Sequence, residues 1–315
     1  MRTVRVAFLG TPEFAVPTLE RIVQAGHEVA AVFTQPDRPK GRGQQVAAPP
    51  VKRAALQLGL PVHQPERIRT PEILEFLRGL DAEAFIVVGY GKIIPQTIID
   101  IPPLGIINVH ASLLPKYRGA APIQWAIAQG ETTTGVTTMQ IDAGLDTGDI
   151  LLMRETAIGP EETALELGPR LASMGADLLI ETLAGLRDGS ITPRKQDSSQ
   201  ASLAPPLKKE DGLIDWTRPA AEIHNRARGF LPWPGCHTKF RGRTLNVWRA
   251  RVADAAAGAP GSVRASHGRL IVAAGAGTAL ELIEVQLEGK KRMNAAAFLN
   301  GVHLMHNELL GEVSS

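Results

Sequence analysis

The chain has 315 residues, 44% of them hydrophobic and 21% charged, with a formal charge of +2. That length and apolar content exclude disorder outside short linkers and suggest two domains. No apolar run reaches the roughly 18 residues of a membrane span, and the single cysteine, Cys236, excludes an intrachain disulfide framework; both favour the cytoplasm.

The opening MRTVRVAFLG turns at once into GTPEF, which predicts a short buried strand at 4–10 rather than a signal peptide. A helix is expected from Glu13 to Ala25, interrupted early by Pro17, and HEVAAVFT at 27–34 has the continuous apolar character of a strand covered on both faces. Strand, helix and strand in succession predict a parallel βαβ unit. Helices at 51–58 and 71–78, strands at 84–89 and 105–110, and a helix at 121–129 continue the pattern. ETTTGVTTMQI at 131–141 and DILLMRETAI at 149–158 read as strands, and 161–187 as helix kinked or divided by Pro169. Residues 1–189 are therefore expected to form one doubly wound, Rossmann-like α/β domain. The polar, turn-rich stretch 190–206 reads as a linker. Beyond it, short strand-like runs separated by Gly and Pro predict a smaller β domain at 207–315, a barrel because closure removes exposed edges.

Charge is distributed unevenly. Residues 201–315 carry 15 Lys and Arg against 10 Asp and Glu, a net +5, and the first 200 carry 19 against 22, a net −3. The C-terminal part can thus steer toward a polyanion, or simply present a solvated basic surface.

Gly10 after the first strand invites a dinucleotide-binding reading, but GTPEFA lacks the G-x-G-x-x-G glycines, and GRG at 41–43 lacks the Lys-Ser/Thr ending of a phosphate loop. No G-x-S-x-G nucleophile turn, H-E-x-x-H or paired CxxC is present, so neither a covalent nucleophile nor a metal site is predicted. Asn108 and His110 end the apolar strand GIINVH two residues apart, and an extended backbone projects them to one side. Two polar side chains ending a buried strand are costly unless partnered, and the carboxyl end of a parallel strand is where such sheets place ligand groups. A core histidine is the competing reading. In MQIDAGLDTGDIL, Asp142, Asp146 and Asp149 alternate with Gly144 and Gly148 without the spacing of a calcium loop. One of these carboxylates brought near His110 would fix its tautomer and stabilise its charged form; spacing alone does not choose among them. Non-covalent acyl-type transfer is the chemistry this set allows.

GTPEFAVPTL, QPDRPKGRG, YGKIIP, GIINVHASLLPKYRGAAPIQWAI, GVTTMQIDAGLDTGDIL and GFLPWPG together resemble the folate-dependent formyltransferase family. RGAAPIQ, the distal PWPG and the chain length resemble its tRNA-acting members. The resemblance covers essentially the whole chain and implies an OB-like barrel for the C-terminal domain. It also implies Asn108, His110 and Asp146 as the catalytic set, 10-formyltetrahydrofolate as formyl donor, and the α-amine of methionyl initiator tRNA as acceptor. Folate contacts are implied at Tyr90, Gly91, Lys92 and Ile93, at Ser112, Leu113, Leu114 and Pro115, and at Asp142. Implied tRNA contacts are Arg38, Lys40 and Arg42 in QPDRPKGRG and Lys239, Arg241 and Arg243 in KFRGR. No metal is implied, and the absence of a heptad seam leaves a monomer as the expectation. The rivals are a family member acting on a sugar-nucleotide amine or small purine precursor, a folate-dependent hydrolase, and a non-catalytic tRNA-binding protein.

Overall fold

The computed structural model describes residues 3–40, 45–254, 258–305 and 308–311. The chain divides into two compact units: residues 1–122, 133–157 and 168–205, and residues 123–132, 158–167 and 206–315.

β1 (Arg5–Gly10) leads through a 3-10 turn into α1 (Val16–Gln24). Pro17 does not interrupt this helix, because its missing N–H falls in the first turn, where no intrahelical bond is lost. β2 (Glu28–Phe33) follows, then a short ladder of β3 (Arg38–Lys40) with β4 (Gln45–Ala47), and α2 (Pro50–Gln57) before β5 (Val62–His63). Thr70 caps α3 (Pro71–Gly79) by accepting from Ile73 N–H. β6 (Ala84–Val88), α4 (Gln96–Ile99), β7 (Ile106–His110), β8 (Arg118–Gly119) and α5 (Pro122–Ala128) precede β9 (Thr133–Gln140) and β10 (Ile150–Ala157). α6 (Ala164–Asp188) is a single helix with Pro169 in its second turn, not two helices. β11 (Leu203–Ala204) pairs with β8.

The seven-stranded sheet of the first unit has the order β10-β9-β7-β6-β1-β2-β5. β7, β6, β1, β2 and β5 are parallel; at one edge β9 runs antiparallel to β7, and β10 antiparallel to β9. The nine residues between β9 and β10 are too few for a parallel crossover, so these strands form a hairpin. Alternation puts Val6 and Phe8 of β1 in one apolar layer, with Leu19, Ile22, Leu179 and Leu183, and Ala7 and Leu9 in the other, with Leu77, Phe85 and Ile98. Both faces are covered, as a doubly wound sheet requires. Strand order reverses between β1 and β6. The carboxyl ends of these strands, with that of β7 beside them, define the crevice where such sheets bind ligands.

In the second unit β12 (Cys236–Phe240), β13 (Arg243–Ala253), β14 (Val263–Ser266), β15 (Arg269–Ala273) and β16 (Ala279–Leu287) form an antiparallel sheet in the order β12-β13-β16-β15-β14. β17 (Met293–Asn294) adds to β16. Cys236, Thr238 and Phe240 of β12 point inward by alternation, and a register shift beyond Val247 of β13 brings Ala250 inward instead. α7 (Ala220–Gly229) and α8 (Ala295–Gly301) contribute Ile223, Ala227 and Phe298 to the core, where Trp125 meets Phe230 edge-on at 5.4 Å. Among the described residues no helix is long and apolar enough to cross a membrane.

Candidate active site

Three segments of the first unit converge at the carboxyl end of β7. Asn108 and His110 lie on one face of the strand, with Val109 turned into the opposite core layer. Both polar residues are buried, at 8% and 5% exposure, so their polar atoms need partners. The imidazole Nε2 lies 2.9 Å from the Tyr117 carbonyl. A carbonyl only accepts, so Nε2 carries a proton and Nδ1 is the nitrogen left for chemistry. Nδ1 faces Asp146 Oδ2 at 3.7 Å, too far for a direct hydrogen bond. Asn108 Nδ2 donates to Asp146 Oδ1 over a long 3.5 Å, and Gly119 N–H donates to Oδ2 at 2.8 Å. Of the three aspartates left open by spacing, it is Asp146 that meets His110.

Two strained backbones produce this arrangement. Tyr117 has φ +61° and Asp146 has φ +51°, both in the left-handed region that non-glycine residues seldom adopt. Gly119, at φ +124°, approaches β11 so closely that a Cβ there would lie 2.6 Å from the Ala204 carbonyl oxygen. That approach sets the N–H which holds the Asp146 carboxylate.

Sequence reasoning missed the surroundings of Asp146. Gln196 donates through Nε2 to the carbonyls of Asp146 and Gly148, both at 2.8 Å, and its Oε1 accepts from Arg118 Nε and a terminal nitrogen at 3.1 and 2.8 Å. Arg194 pairs with Ile150 through two backbone bonds, and Ser202 Oγ accepts from Tyr117 N–H. The stretch read as a linker is thus bonded into the first unit through residue 205. Its polar composition suggested a solvated connection because no periodic signal reveals that its side chains answer buried backbone groups.

The implied folate residues fall in three places. Tyr90 lies at the switch point, where its carbonyl accepts from Thr11 Oγ1 and Gln35 Nε2 at 3.1 and 2.9 Å. Its ring is 1% exposed, its hydroxyl has no hydrogen-bond partner among the described residues, and burial pushes the phenol up to about 12. Gly89 and Gly91 flank it with positive φ and exposed backbone. Lys92 Nζ donates to the carbonyls of Pro65 and Glu66 at 2.6 and 2.7 Å, burial and then the Arg38 charge lower its pKa, and Ile93 is 76% exposed. In the second place Ser112 and Leu114 are buried and tied to Thr137: its hydroxyl donates to Ser112 O and accepts from Leu114 N–H. Leu113 reaches Gly135 of β9, and Pro115 follows a cis peptide bond. In the third, Asp142 is exposed and accepts from Gly144 N–H and Thr147 Oγ1, which shapes its own loop.

Of the implied tRNA residues, Arg38 and Lys40 lie on β3, and Arg42 lies outside the described residues. Lys239, Arg241 and Arg243 sit at the β12–β13 turn, where Arg241 and Gly242 both have positive φ, as a two-residue hairpin turn of this hand requires. Arg241 is held by buried Glu308 at 2.5 Å and lies over Phe240. Arg243 donates to the Glu288 carbonyl, and Lys239 to Thr244 at 3.3 Å.

A doubly wound sheet presenting Asn, His and Asp together at one strand end, followed by an antiparallel β unit, is the arrangement that the resemblance to the folate-dependent formyltransferase family implies. The chain belongs to that family: the formyl transferase model matches residues 4–183, and the formyl transferase C-terminal domain matches residues 206–303. It is similar to the methionyl-tRNA formyltransferase of Solibacter usitatus, at 67% identity over 310 residues, covering 98% of this chain and 99% of that one. The enzyme of the same name from Koribacter versatilis is 60% identical over 313 residues, covering 98% and 99%. Among solved structures, an N-formyltransferase from Helicobacter canadensis in complex with folinic acid and dTDP-3-aminofucose superposes with a TM-score of 0.66 at 19% identity, covering 89% of this chain and 99% of that one. HypX from Aquifex aeolicus in complex with tetrahydrofolic acid gives 0.63 at 18%, covering 95% and 47%. At those identities the two structures share the fold.

Proposed function

We propose that the protein transfers the formyl group of 10-formyltetrahydrofolate to the α-amine of methionyl initiator tRNA, acting as a cytoplasmic monomer in translation initiation. The observation that carries this reading is the convergence of Asn108, His110 and Asp146 at the end of β7, in a chain 67% identical to a protein named for that reaction.

The crevice suits a flat heterocycle with amide-like edges. The exposed backbone of Gly89 and Gly91, on either side of buried Tyr90, offers polar edges to such a group. Tyr90, Gly91, Lys92 and Ile93, the 112–115 loop and Asp142 would hold the folate. When bound, the donor supplies an electrophilic formyl carbon attached to N10. Asn108 Nδ2 donates toward the oxygen of that carbon as negative charge develops, a contribution of several kcal/mol when such donors are well aimed. His110 Nδ1 takes the proton that the attacking amine loses on forming the new C–N bond. Asp146 stabilises the resulting imidazolium, and Nδ1 returns the proton to N10 as the old C–N bond breaks. Proton transfer of this kind contributes about 10²–10⁴-fold. Arg38, Lys40, Arg42, Lys239, Arg241 and Arg243 supply cationic groups for tRNA phosphates.

Transfer assays with two acceptors test the reading: methionyl initiator tRNA and a nucleotide-linked amino sugar, each with 10-formyltetrahydrofolate. Formylation of the tRNA alone is expected. Formylation of the sugar alone would assign the chain to the sugar-amine branch.

A further inference from the structure

We propose that Gln196 is a positioning residue for formyl transfer, its side-chain amide locking the Asp146 backbone in the conformation that turns the carboxylate to His110. The inference rests on the proposed reaction and names a group outside its Asn–His–Asp set.

Asp146 is restrained at both ends. At the side-chain end Gly119 N–H holds Oδ2 at 2.8 Å; at the backbone end Gln196 Nε2 holds the carbonyls of residues 146 and 148. A left-handed Asp is unfavourable unless its surroundings over-determine it, and these bonds supply that determination. The opposite end of the amide is equally fixed. Arg118 is 7% exposed, and two of its nitrogens donate to Gln196 Oε1. Flipping the amide would set oxygen against two carbonyl oxygens and NH₂ against a guanidinium, so only one orientation is allowed. Arg118 immediately precedes Gly119. The same two-residue strand therefore orients Gln196 by a side chain and the Asp146 carboxylate by a backbone N–H. The Arg194–Ile150 backbone pair carries Gln196 to this position beside β10, and Gln140 N–H, donating to the Asp149 carbonyl at 2.9 Å, holds the far side of the loop.

Glutamate at this position would still accept from Arg118 but could not donate to the two carbonyls. Gln196→Glu thus separates the positioning role from simple satisfaction of a buried arginine, and Gln196→Met of similar length is the second variant. The experiment measures single-turnover formyl transfer and KM for donor and tRNA, on variants whose thermal midpoints match the native protein. We expect the transfer rate to fall by roughly 10–100-fold, the usual effect of removing a group that orients a catalytic one, with both KM values near native. In an Asp146→Ala background the same substitution should cost nothing further, because its effect runs through Asp146. A native rate in a folded variant, a loss confined to KM, or an equal loss in both backgrounds would overturn the inference. Failure of the native chain to formylate tRNA would overturn the proposed reaction itself.

Discussion

At the scale of single residues, the site rests on which nitrogen of His110 is free. The Tyr117 carbonyl occupies Nε2, leaving Nδ1 beside Asp146. Asp146→Asn keeps an acceptor for Gly119 N–H and a residue type that tolerates positive φ, but removes the charge facing the imidazole. Its transfer rate should fall by roughly 10²–10⁴-fold with little change in thermal midpoint, measured by single-turnover assay and thermal melt; an unchanged rate would remove the carboxylate from the mechanism. His27 yields a second prediction, on stability. Val4 N–H donates to its Nδ1 at 3.1 Å, a bond that needs that nitrogen unprotonated. Burial, then the Arg187 charge, lowers its pKa below 6.5, against a smaller opposing influence of Glu83. A depressed folded-state value means that stability is fully present above about 6.5 and is lost as pH falls through the lower, folded value. Thermal midpoints between pH 7 and 5 should therefore drop in the native chain and drop less in His27→Gln. Identical slopes would contradict this assignment.

At the scale of elements, most strands and helices are legible because buried strands read as unbroken apolar runs and helices as punctuated amphipathic ones. GIINVH gave β7 and its two polar residues, since polar groups ending a buried strand stand out by their cost. The edge hairpin was less legible: composition marks β9 and β10 as strands, and only the length of their connection fixes their antiparallel direction. Least legible were the contacts of 190–206, where Gln196 and Ser202 act on backbone groups distant in sequence that no local pattern encodes. The resemblance, not the residue pattern, selected Asp146. β8 links these levels. Gly119→Ala would place a Cβ against the Ala204 carbonyl at a φ that disfavours any side chain, and should destabilise the fold by about 1–3 kcal/mol. It should also lower transfer through the displaced N–H, and urea unfolding with a parallel activity assay checks both. Native stability would show that β8 and β11 separate freely.

At the scale of the whole molecule, the proposed reaction puts the chemistry in the sheet unit and would use the basic C-terminal stretch to supply charge for a polyanionic acceptor. If Lys239 and Arg243 contact phosphates, tRNA affinity should weaken linearly in log salt. Replacing each by Gln should shallow the slope by about 1 and leave folate affinity unchanged. Arg241, already neutralised by Glu308, should contribute less. Fluorescence titrations at several salt concentrations measure this, and unchanged slopes would return the KFRGR turn to a solvated surface. Formyl transfer through His110 is checked by single-turnover transfer to methionyl initiator tRNA by the native chain and by His110→Ala. The native chain should transfer the formyl group, and the variant should lose roughly 10²–10⁴-fold in rate with donor binding retained. Near-native transfer by His110→Ala would contradict it.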